Sequence, residues 1–148
     1  MKINTRLEDY YEIVIKEHDF LHIRMRKFWS KRILDEIGPT FLKRHQQAVE
    51  SLASEKFVML IDCRDFGQPS EEMKSHIMQA MEHAIRCGLH RVVEILPSKA
   101  VLKMAIDNTA KKVHEDQFRL QAGDLNEANR MVRQLRIEIQ RQHEASKL

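Results

Sequence analysis

The sequence predicts a single-domain α/β fold: a mixed, mostly parallel β-sheet of about five strands with four helices, in the order ββαβαβαβα. Three observations carry this. "FLHIRMRKF" alternates strictly, with Leu21, Ile23 and Met25 on one side and His22, Arg24 and Arg26 on the other, as a strand with one buried and one wet face requires. "KFVMLIDC" is apolar on both faces from Phe57 to Ile61, the pattern of a central strand covered on both sides. From there on strands alternate with helical stripes, which implies parallel pairing through right-handed crossovers.

Each element follows in turn. Tyr10 to Lys16, "YYEIVIK", is rich in β-branched and aromatic residues, and "EHDF" supplies a turn into the second strand, so an antiparallel hairpin is expected. Ser30 caps a helix reaching about Ser54. The pair Gly38–Pro39 predicts a kink there or a division into two helices, because proline lacks the N–H that a helix interior uses. After the central strand, Ser70 to Arg86 reads as a helix with Met73, Ile77, Ala80, Met81 and Ala84 facing inward, and Gly88 is placed to end it. "HRVVEIL" is the next strand. Ser98 caps a helix with Leu102, Ala105, Ile106, Thr109 and Val113 on its inner face. "FRLQA" is a short last strand, and Asp124 caps a final helix carrying Leu125, Ala128, Val132, Leu135 and Ile139. The domain is expected over residues 1–141, with the polar end, 142–148, frayed.

Apolar residues make up 43% of the 148 and charged residues 32%, which fits a globular chain and excludes a disordered one. The net charge of +3 is too small and too dispersed for the concentrated basic face of a nucleic-acid binder. The start, "MKINTRLEDYY", carries no signal-peptide core, and the longest apolar run is far too short to span a bilayer. A cytoplasmic protein with no transmembrane segment is expected, with its two cysteines reduced.

The stretch "IDCRDFGQPSEEM" is the first candidate site. It joins the end of a central strand to a helix N-terminus, where ligands gather in open α/β sheets. Asp62 and Asp65 have no nucleophile or cofactor motif beside them, so no catalytic residue is assigned. No cofactor is expected either, since the four glycines do not cluster. His76, His83 and Cys87 share one side of a helix and are potential zinc ligands by spacing, but no C-x-x-C or H-E-x-x-H pattern accompanies them, and no metal is assigned. The methionines Met59, Met73, Met78, Met81 and Met104 fall in or beside the central elements, where such flexible side chains fill a core or line a small apolar cavity.

The leading strand pair, then "KFVMLIDCRDFGQPSEEM", "AIRCGLHRVVEIL", "SKAVLKMAIDNTAKKV" and "EDQFRLQAGDLNEANRMV" together resemble the SpoIIAA-like branch of STAS domains. That fold is shared with bacterial anti-sigma-factor antagonists and is related loosely to the lipid-binding lobe of phospholipid-transfer proteins. The resemblance covers about residues 5 to 135. It implies a non-catalytic protein-interaction or regulatory module whose contact surface centres on Asp62, Arg64, Asp65, Gly67 and Ser70, with Met78 as an apolar anchor and a contribution from Ser98. It also implies Ser70 as the phospho-acceptor. The residues depart from the family there: "GQPSEE" lacks the paired hydroxyls of "DSSG", and Glu71 and Glu72 crowd a phosphate. Read for themselves, they make Ser70 a helix N-cap. A protein partner is therefore expected, with a homodimer left open. The alternative is a carrier or sensor of a small apolar or lipid-like ligand.

Overall fold

The structure, a computed structural model, describes residues 6–97 and 118–146. A 3₁₀ turn, Leu7–Asp9, leads into strands β1 (Tyr11–Glu17) and β2 (Phe20–Lys27), followed by helix α1 (Lys31–Glu50), β3 (Phe57–Phe66), α2 (Glu71–Arg86), β4 (Leu89–Ile95), β5 (Arg119–Gln121) and α3 (Leu125–Ser146). The five strands form one sheet in sequential order, β1-β2-β3-β4-β5. β1 runs antiparallel to β2, and every later neighbour is parallel. This is the mixed, mostly parallel sheet that the alternation predicts. Three α-helices lie among the described residues, and the helix expected from Ser98 falls outside them.

The sheet sorts its side chains by parity, as a pleated strand must. Leu21, Ile23, Phe57, Met59 and Val92 face α1 and α2, in a core that includes Trp29, Phe41, Met73 and Met81. Phe20, Val58, Leu60, Val93 and Ile95 face the opposite way, onto Ala128, Val132, Leu135 and Ile139 of α3. β3 is buried on both sides through Leu60, as its continuous apolar run demands.

The helices begin where the sequence places them. The Ser30 hydroxyl accepts from the Ile33 amide at 3.2 Å, and Asp124 accepts from the Glu127 amide at 2.8 Å. The Gly38–Pro39 pair does not divide α1: one helix runs through it and ends at Glu50, short of Ser54. Pro39 and Asp35 are both exposed, so the ring stands on the wet side and water can serve the carbonyl that loses its helical partner. Gly38 is buried, and a Cβ there would lie 2.9 Å from Leu34 Cδ1 and 3.1 Å from His76 Nε2; its bare backbone lets α2 approach α1. Gly88 ends α2 with φ at +111°, and a Cβ at that position would collide with the Glu55 carbonyl. At the far end, α3 continues through the expected frayed segment to Ser146, although nothing beyond Ile139 is buried.

Candidate functional site

The carboxyl end of the central strand is built differently from the loop the sequence suggests. β3 does not stop at Cys63. It continues to Phe66, because β2 is long enough to keep pairing with it: after an irregularity, Arg26 lies opposite Asp65 and Lys27 opposite Phe66. Asp62, Arg64 and Asp65 are therefore strand residues, and the connection to α2 is only residues 67–70. Short as it is, it is tied down. The Gly67 amide donates to the Lys27 carbonyl at 2.9 Å, and a Cβ on Gly67 would lie 2.8 Å from Phe28 Cα.

On this rim the side chains form a charged network. Asp62, 2% exposed, accepts from the Arg64 side chain at 2.9 and 2.7 Å and from the Arg64 amide at 3.2 Å. Arg24 reaches across from β2, with Nε 4.0 Å from Asp62 and Nη2 donating to Asp65 at 3.0 Å. Burial pushes the Asp62 pKa up. The hydrogen bonds from Arg64 and the charges of Arg64 and Arg24 outweigh this and hold it below the usual carboxylate range. Asp62 thus stays ionised near neutral pH, which suits a fixed anchor and not a proton donor.

Phe28, whose backbone adjoins Gly67 at the end of this strand pair, is the residue that sequence reasoning missed. Lys27 adopts a positive φ of 63°, a left-handed conformation costing an ordinary residue about 1 kcal/mol. The chain turns there, the Lys27 ammonium lies 5.3 Å from the Tyr10 ring centre, and the next two aromatics part company. Trp29 goes into the core, 2% exposed, with its indole N–H donating to the Arg26 carbonyl at 3.0 Å. Phe28 is left 59% exposed, the most exposed large apolar side chain among the described residues. A signal existed: Phe28 falls on the same parity as His22, Arg24 and Arg26, an aromatic on the wet side of the alternation.

Ser70 caps α2, its hydroxyl accepting from the Met73 amide at 3.1 Å. Met78 is half-buried on α2, about 12 Å along the helix from Ser70 at 1.5 Å per residue, so it does not join the rim network. Ser98 lies outside the described residues. Asp62, Arg64, Asp65 and Gly67 come together; Ser70 adjoins them.

Concave surfaces also lie elsewhere among the described residues. Between the sheet and helices α1 and α2 is a cavity of about 60 Å³, lined by Ile23, Met25, Phe41, Ile77 and Met81 together with His45, Cys63 and Glu94. His45 is 2% exposed, and its Nδ1 has no partner among the described residues. Burial, helped by the charge of His83, lowers its pKa to about 4. Burial also raises the Cys63 thiol well above its normal value, with Glu94 and Asp62 adding to the effect, so it is no thiolate nucleophile at neutral pH. Glu94 is paired in two places with Arg119, at 2.8 and 2.7 Å. At the opposite end of the sheet an open groove of about 880 Å³ is lined by His18, Asp19, Lys56, Arg133, Arg136 and Ile137, among others. An Arg136–Asp19 ion pair at 2.7 Å crosses it.

The His76 Nδ1–H donates to the Glu72 carbonyl at 2.9 Å, whereas His83 Nε2 pairs with Glu50 at 2.9 Å and lies 3.6 Å from Cys87 Sγ. Among the described residues no three His, Cys, Asp or Glu side chains are grouped to hold a metal. No helix among them is long and apolar enough to cross a membrane.

Fold and rim together define an α/β domain with a sequentially ordered, mostly parallel sheet and a charged, aromatic-flanked carboxyl edge. No protein-family model matches the chain, and no curated protein matches it.

Proposed function

We propose that this chain is a non-catalytic interaction or regulatory module of the SpoIIAA-like STAS type, which docks a protein partner on the rim formed by Phe28, Arg24, Asp62, Arg64, Asp65 and Gly67. The observation that carries the reading is Phe28: an exposed aromatic that follows the left-handed Lys27 and adjoins Gly67, on the strand pair whose charges are already paired. Apolar anchors ringed by ordered polar groups are the usual energetic centres of protein interfaces. The order of strands and helices supports the STAS assignment. The Ser70 hydroxyl, engaged as a cap beside Glu71 and Glu72, supports docking without the family's phosphorylation switch.

The test is affinity capture from the native host, comparing the wild-type chain with Phe28→Asp. Because Phe28 is exposed, the variant should fold as the wild type does. A partner retained by the wild type and lost by Phe28→Asp supports the reading. Identical captures from both reject it.

The cavity beside His45 favours a second reading, a sensor or carrier of a small apolar ligand. At about 60 Å³ it holds roughly two water volumes. A lipid-like ligand would fit only if Met25 and Met81 moved aside, which methionine permits. Native mass spectrometry of gently purified protein would reveal such a ligand as a non-covalent mass increment.

A further inference from the structure

Among the described residues β1 is the outermost strand of the sheet and is bonded on one side alone, to β2. The Arg26 amide donates to the Tyr10 carbonyl at 2.9 Å, which sets the phase of the ladder. In antiparallel pairing the backbone groups alternate in direction, so those of Glu12 and Val14 turn toward β2 while those of Tyr11, Ile13 and Ile15 turn to the open edge. Natural edges are blunted by proline, by short length, by charged side chains or by a β-bulge. β1 has seven residues and no proline, and its charges, Glu12, Lys16 and Glu17, flank an apolar centre at Ile13 to Ile15 whose register is regular. It carries Val14 at 42% and Ile15 at 48% exposure, two of the five exposed large apolar side chains among the described residues.

The edge is also complementary to itself. When the strand is laid antiparallel on a second copy with Val14 opposite Val14, Glu12 falls opposite Lys16 and Ile13 opposite Ile15, each twice by symmetry. The open-edge phase agrees: the Ile13–Ile15 pairs carry the hydrogen bonds, and the Val14 pair is the closer, non-bonded kind. Other registers of the same phase set Glu12 against Glu12, Val14 or His18. Lys16 makes no ion pair among the described residues, and Glu12 reaches only Arg26, at 3.3 Å. The register irregularity falls between Ile15 and Glu17, at Lys16 itself, so the regular part of the edge is Tyr11 to Ile15 and the Glu12–Lys16 pairs lie at its limit. His22, the cross-strand neighbour of Val14, lies within electrostatic reach of both Lys16 and Glu12.

We propose that two copies of the chain pair edge to edge through β1, antiparallel about a two-fold axis at Val14, so that their five-stranded sheets become one continuous sheet. The contact is self-complementary, as a two-fold interface requires. It leaves the rim at Phe28 free.

Sedimentation equilibrium of the full chain tests this. The expected mass is twice 17.6 kDa. Val14→Asp, which sets two carboxylates on the axis, should give a monomer with an unchanged circular dichroism spectrum. Lys16→Glu should weaken association by about tenfold, from like charges placed opposite at two positions. Combining it with Glu12→Lys should restore it. Register is read separately: on a Cys87→Ser background, Val14→Cys should oxidise to a linked dimer and Glu12→Cys should not. A wild-type monomer at every concentration, a Val14→Asp dimer, or a linked Glu12→Cys dimer overturns the proposal. So does a monomer whose β1 amides gain exchange protection only from a foreign extended peptide, which would assign the edge to strand addition by another protein.

Discussion

His45 sits on α1 with its ring sealed against the sheet, and its imidazole is kept neutral by burial and by the neighbouring charge of His83. Its folded pKa of about 4 lies below the unfolded value of about 6.5. The unfolded chain therefore binds the proton first, and stability falls as pH drops from about 6.5 toward 4. Between pH 7.5 and 5 the loss should be about 2 kcal/mol. His22, whose pKa is also lowered by burial, adds to it in the same direction. Urea unfolding at the two pH values, with His45→Phe as the control, measures it: the variant should lose much of the acid sensitivity. An equal pH response in both proteins would show that His45 titrates normally. The sequence shows eight histidines and gives no way to separate this one from the rest, because what distinguishes it is its burial, 2% exposed, which depends on residues distant in the chain. The same holds for Asp65, which reads as a turn residue until the pairing with β2 shows it to be strand.

The elements themselves were far more legible, since caps and periodicity are local. Ser30, Ser70, Gly88 and Asp124 each terminate a helix as their chemistry dictates. Two boundaries were not readable. β3 runs three residues beyond Cys63 because its neighbour β2 continues, a non-local cause. α1 survives Pro39 because packing of Ile37, Phe41 and His45 against the core outweighs one lost hydrogen bond at an exposed turn. Two substitutions separate these contributions. Gly88→Ala should destabilise by more than about 2 kcal/mol, combining the left-handed backbone penalty with the collision at Glu55; a shift in the urea midpoint within error of zero would contradict the packing described. Ser70→Ala should cost about 1 kcal/mol and leave partner capture intact. If partner capture vanished with folding unchanged, Ser70 would belong to the docking surface itself.

At the scale of the molecule, the alternating stretch "FLHIRMRKF" and the two-sided run "KFVMLIDC" were sufficient to foresee a mixed, mostly parallel sheet, because each constrains which faces are buried. They do not encode which strand ends share a rim, and so Arg24 read as a solvated residue until β2 and β3 were seen side by side. Sequential strand order brings them together and lets Arg24 from one strand and Arg64 from the next hold Asp62 between them. The resulting molecule separates its surfaces. The rim with Phe28 lies at the carboxyl end of the parallel strands, the open edge at β1, and the mixed-charge groove at the opposite end beside α3. The most direct test of the rim as the docking surface is photo-crosslinking in the native host, with a photoreactive phenylalanine analogue at Phe28 and, as control, at Ile137, which is also exposed but lines that groove. The account predicts a discrete protein adduct from position 28 that is absent from position 137 and disappears when Asp65→Lys is added. No adduct from position 28, or the same adduct from both positions, would contradict it.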